Sequence, residues 1–231
     1  MKPEPADLLI RNFQASALIG LPLLWMLMFL LHFRSVADFF VFHQAYVPVP
    51  AAETVTHLIA AQNHSPMLHD PHQIGYLSLP LLVLAAFALY AIGRRVRPAL
   101  AASGIALTVT GAIYLGGVFG LYTALYRGLG DVDARFTEGA IATFSAVTAD
   151  HGAYGLTRML AELAVLGIAV QAIALWRAPR VPKWSPVAII AGCLLFLAFW
   201  DVDNMMFAGS ICLIAGFLPI ARELQISEHA A

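Results

Sequence analysis

Four histidines fall between positions 57 and 72: His57, His64, His69 and His72. Glu53 precedes them, Asp70 stands between the last two, and Met67 is close by. Glu53 and His57 are four residues apart and His57 and His64 seven, so all three share a face if a helix runs through them. Imidazole and carboxylate donors suit zinc, copper or iron, and a thioether shifts the preference towards copper. Zinc takes three or four protein ligands at about 2.0–2.2 Å from N and O donors, and this stretch can supply that many. Histidine also serves as an axial ligand of haem, although no Cys-x-x-Cys-His attachment motif occurs. A lone histidine in a loop usually caps a helix end or titrates without consequence. It is the crowding of these four, with His43 and His151 as further contributors, that points to a transition metal or a metal-containing cofactor.

A second group carries charge. Arg158 and Glu162 are four apart, a spacing that permits an ion pair on one helix face. Asp201 and Asp203 follow a later apolar run. Ionisable groups at membrane depth are costly and by default mark function, but these four lie near the ends of apolar segments. An interhelical clamp joining Arg158 to Glu162 or Asp201 is therefore the expectation, with completion of a metal site beside His151 as the alternative. The spacing of Gly116 and Gly120 lets two helices approach closely, either inside the chain or between copies of it. Thr108, Tyr114, Tyr122 and Tyr126 add polar groups to the same segment, where tyrosine anchors at the interface or lines a cavity. Cys193 and Cys212 sit in apolar runs and read as small buried side chains.

Composition says what must position these residues. The hydrophobic fraction is 60%, the charged fraction 12% and the mean hydropathy +0.77. Soluble domains carry about 45–50% apolar and about 25% charged residues, so the chain reads as an integral membrane protein. Its net charge of −1 gives no reason to expect a nucleic-acid partner. There is no Gly-x-x-x-x-Gly-Lys and no His-Glu-x-x-His. A bilayer core about 30 Å thick takes about 20 apolar residues of helix. Six segments qualify: 15–33, 76–93, 99–126, 156–176, 185–201 and 205–221. The first is too long for a signal-peptide core and reads as a retained helix. Segments 34–75 and 127–154 are mixed. Each contains an amphipathic stretch, Glu53–His64 and Glu138–His151, expected to lie flat at the interface. Each is followed by a span, a basic proline-containing loop and another span, which suggests a parallel internal repeat.

Basic residues set the expected orientation. With the N-terminus inside, nine Lys and Arg fall on the inner side and only Arg34, Arg127, Arg135 and Arg158 on the outer. Seven histidines, His32 among them, then fall outside, leaving only His229 within. The expected fold is an all-α polytopic membrane bundle forming a single domain over 1–231. It has about six transmembrane helices and two interfacial amphipathic helices on the non-cytoplasmic side. The expected location is a bacterial-type plasma membrane, with both termini cytoplasmic and the lipid bilayer as first partner. The expected function is binding of a transition metal (copper, zinc, or iron as haem) at an outward-facing histidine-rich site, for metal handling or redox chemistry at the outer leaflet. The alternatives are an accessory subunit of a larger membrane complex or a homo-oligomer, and a small transporter.

Overall fold

The computed structural model describes residues 5–33, 36–40, 51–60, 71–149, 152–200 and 202–226. Among them there is no strand. The helices are α1 (Pro5–Leu30), α2 (Val36–Phe40), α3 (Ala51–Ala60), α4 (Pro71–Gly93), α5 (Pro98–Gly130), α6 (Thr137–Val147), α7 (Gly152–Ala161), α8 (Leu163–Leu175), α9 (Trp184–Ala198) and α10 (Asp203–Ile226). Five stretches are long and apolar enough to cross a membrane: α1, α4, α5, α7 joined to α8, and α10. The sixth apolar helix, α9, is shorter at 15 residues. Large apolar side chains such as Leu23, Leu27, Phe87, Ile113, Ile173 and Leu194 are exposed around the outside. On a soluble protein so many would make an adhesive surface; on a multi-pass membrane bundle they face lipid.

Several helices begin or bend where proline allows. Pro98 sits in the first turn of α5, where its missing N–H costs nothing. Pro22, Pro80 and Pro219 lie inside α1, α4 and α10, as membrane helices tolerate when their neighbours satisfy the freed backbone groups. The six long elements close into a ring, in the order α1, α4, α5, α7–α8, α9, α10 and back to α1. The turn at Arg94–Arg97 marks one end of the ring, the arginine end. The start of α4 and the finish of α5 mark the other, the histidine end.

Lipid is as apolar as leucine, so helices here associate by close packing rather than by escape from water. The tightest crossing joins α5 to α8. A Cβ added at Gly111 would run into the backbone of Ala164, 2.6 Å from its Cα. One at Gly104 would stand 2.8 Å from the Gly167 carbonyl oxygen, and one at Gly167 2.5 Å from the Gly104 carbonyl oxygen. The span breaks here: α7 ends at Ala161, and α8 restarts with Val165 and Leu166 donating to the Glu162 carbonyl. A second crossing of this kind joins α9 to α10, where Gly192 and Gly209 face each other. Gly116 and Gly120 face α4 more loosely, at 3.1 Å from Leu79 and 3.8 Å from Tyr76.

At about 1.5 Å per residue, the 33 residues of α5 run about 50 Å, well beyond a 30 Å core. Its far end carries the cap. Val55 and Ile59 of α3, Ala140 and Phe144 of α6, and Leu129 of α5 form a separate small core there. Between α5 and α6, Arg135 grips Asp133 through two guanidinium nitrogens, the shortest contact 2.9 Å, and holds that carboxyl below the usual carboxylate range.

Gly111→Ala should lower stability in detergent by about 1–3 kcal/mol or more, because overpacking against backbone cannot relax by a rotamer change. Gly120→Ala, with its methyl in ordinary contact, should leave the melting temperature unchanged or raise it. Equal effects of the two, read by thermal unfolding, would show that the α5–α8 crossing is not the tight point.

Candidate functional site

At the histidine end the helix ring opens into a cavity of about 80 Å³. Trp25 and Phe29 of α1, Phe119 of α5, Phe196 of α9 and Trp200 wall it, and Met28 and Met206 add thioethers. Trp25 and Phe196 pack with ring centres 4.9 Å apart, and Phe29 meets Phe196 edge-on at 5.7 Å. The Trp25 indole N–H donates to Ser78 Oγ at 2.9 Å, and Ser78 in turn donates to the Gly75 carbonyl at 2.6 Å. The Trp25 and Ser78 donors are thus matched, as a hydrocarbon setting demands. Gly75 gives room at this depth: a Cβ there would lie 2.7 Å from the Phe119 ring and 2.8 Å from Met28 Sδ, and those side-chain ends would have to shift.

The polar groups gather at the rim. His32 follows the last turn of α1, and His72 stands in the first turn of α4. Their rings meet edge to face with centres 5.6 Å apart. His32 Nδ1 is 3.0 Å from the Met28 carbonyl oxygen, which can only accept, so Nδ1 carries the proton and Nε2 bears the lone pair of the neutral ring. The Asp203 carboxylate lies 3.6 Å from the same Nδ1, both side chains being less than a third exposed. Asp203 opens α10, where the helix dipole favours a negative charge. His72 stacks on Tyr122 at 4.9 Å and 14°, and Tyr126 approaches it edge-on at 5.1 Å. Tyr154 of α7 donates to the Tyr122 hydroxyl at 2.8 Å. On the flank, Asn204 Nδ2 donates to the Phe39 carbonyl at 3.3 Å, and Phe39 packs on Phe207, fastening α2 across the start of α10. Two imidazoles, one carboxylate and two linked phenols thus surround an aromatic well.

Of the residues singled out from sequence, the structure brings His72 and Asp203 into this site, together with His32. Glu53 is exposed on α3. His43, His64, Met67, His69, Asp70, His151 and Asp201 lie outside the described residues, as does the side chain of His57. Arg158 is half-buried on α7, and Glu162 is half-buried at the α7–α8 break. Among the described residues, no three His, Cys, Asp or Glu side chains are grouped to hold one ion. Sequence reasoning did not connect His32 to Asp203, nor Tyr154 to Tyr122. Tyrosines four apart at 122 and 126 gave a partial signal of a lined cavity. No protein-family model, curated protein or solved structure matches the chain.

A double-mutant cycle on His32→Ala and Asp203→Ala should show a coupling of about 0.2–1 kcal/mol, the range for a partly exposed pair. Strict additivity in detergent unfolding would mean that the two side chains do not interact.

Proposed function

We propose that this is a multi-pass plasma-membrane protein with cytoplasmic termini, and that its outward-facing histidine end binds a transition metal through His32 and His72. The role is metal handling or redox chemistry at the outer leaflet. One observation carries the reading: two imidazoles from different helices meet inside one cavity, and one of them has its Nδ1–H tied to a backbone carbonyl beside a carboxylate. Metal-binding histidines are commonly held by that arrangement, which fixes the tautomer and aims the other nitrogen. The thioethers of Met28 and Met206 line the same cavity, and imidazole with thioether favours copper over zinc. Edge-to-face rings must turn for one nitrogen of each to reach a shared ion, and Met or water would complete its coordination.

The orientation rests on the uneven placement of Lys and Arg. A second reading follows from the aromatic walls: a small planar organic ligand, stacked between rings and hydrogen-bonded by the imidazoles and phenols.

The test is the metal content of protein loaded with copper and then desalted. Stoichiometric copper is expected in the wild type and loss of it in His32→Ala/His72→Ala. Asp203→Asn should weaken affinity about 10–100-fold as an orienting partner. His64→Ala/His69→Ala should retain the ion. If only that loop variant loses copper, the ligands are in the 64–69 segment. If the wild type binds neither metal nor chromophore, the accessory-subunit reading takes its place.

A further inference from the structure

A second cleft, of about 220 Å³, opens at the arginine end between α1, α4 and α10. Arg94 and Arg95 follow the last turn of α4, Arg11 lies in the early turns of α1, and Glu223 in the last turn of α10. The lining therefore stands where three spans emerge from the hydrocarbon. Three guanidiniums face it, with Asp7 and Glu223 on the same cleft. Among the described residues none of the three arginines has a carboxylate within ion-pair distance; Arg94 lies over the Tyr90 ring at 5.7 Å. Glu223 is engaged by Arg180 at 3.4 Å. Ile10, on the cleft, and Phe13, one turn from it, are more than half exposed.

We propose that this cleft holds the headgroup of a phospholipid whose phosphodiester is followed by a primary ammonium, as in phosphatidylethanolamine. Basic pockets between spans are a general means of holding lipid phosphate, and guanidinium pairs with phosphate oxygens through strong charge-assisted bonds. Arginine alone would favour any anionic lipid. The acidic wall adds the discrimination, because Asp7 can accept from an ammonium that phosphatidylglycerol does not have. A quaternary choline has no N–H to give it. Ile10 and Phe13 offer the acyl chains an apolar track beside the cleft. The inference does not rest on the metal reading.

Native mass spectrometry in neutral detergent tests it, with short-chain phosphatidylethanolamine, phosphatidylcholine, phosphatidylglycerol and inorganic phosphate as separate probes. Phosphatidylethanolamine should be retained over the other two lipids by about two- to fivefold, the worth of one exposed charge pair. Arg94→Gln/Arg95→Gln should reduce retention of all three lipids. Asp7→Asn should erase the preference for ethanolamine over choline while leaving the bound fraction of choline lipid unchanged. The melting temperature in detergent serves as the folding control for each variant. Phosphatidylglycerol retained as well as phosphatidylethanolamine would reduce the cleft to a cationic patch and overturn the proposal. Retention of inorganic phosphate with displacement of lipid would assign it to the free anion. Unaltered retention in Arg94→Gln/Arg95→Gln would remove the cleft from lipid binding altogether.

Discussion

Contact of backbone with backbone where α5 crosses α8 is the constraint on which the rest of the bundle depends. Glycine at 104, 111 and 167 brings the main chains of the two helices together, with the Thr108 and Gln171 side chains packed beside them. In lipid, where apolar association gains little from water, such proximity is what holds helices together. It also fixes geometry further up. The part of α5 above the crossing carries Phe119, Tyr122 and Tyr126, and α7 carries Tyr154. The 2.8 Å hydrogen bond between Tyr154 and Tyr122 requires both helices to arrive at one separation and one height. Through the Tyr122 stack, that setting passes to the His72 ring.

The other side of the site is assembled from α1 and α10. His32 sits where α1 ends, and its ring is held by the Met28 carbonyl and Asp203. That contact joins residues 171 positions apart and depends on α10 lying against α1. Gly75 ties the two sides together. It sits one turn below His72 and lets the Met28 and Phe119 side chains converge beneath the imidazoles. A larger residue there would displace the Met28 and Phe119 side chains.

The apolar runs made the spans legible, since bilayer thickness writes itself directly into segment length. Their edges were less so. The hydropathy of residues 71–75 is low, yet α4 begins at Pro71, because Pro in a first turn and a polar N-terminal segment suit a helix as it leaves the membrane. His72 is consequently a helix residue facing the ring and not part of a loop. Likewise α5 continues to Gly130 rather than about 126, because the cap supplies an apolar partner for Leu129 that hydropathy cannot anticipate. The close approach of Gly111 to Ala164, beside the turn at Glu162, is a contact between helices that no local pattern contains. Searching for small residues four apart found Gly116 and Gly120. The closer crossing uses residues seven apart, and its importance is visible only once Gly167 is known to stand opposite. In the same way, clustering in sequence drew attention to His72 through its neighbours. Its closest described imidazole is His32, forty positions earlier and without any periodic relation to it.

Between the two ends the bundle is closed by chemistry as well as by packing. The buried polar side chains among the described residues are Ser78, Thr108, Gln171, Ser185 and Ser210, all of them uncharged. Most return their hydrogen bonds to nearby main chain: Ser78 to Gly75, Thr108 to Gly104, Ser210 to Met206, and Ser185 across to Gly216. Such bonds satisfy these hydroxyls locally, whereas Gln171 Oε1 has no partner among the described residues. Trp25, on the wall of the histidine-end cavity, is matched to Ser78 by the same logic, a polar pair satisfied within an apolar layer. Among the described residues the charged side chains lie towards the helix ends, Arg94, Arg95 and Arg97 at one and Asp203, beside His32, at the other.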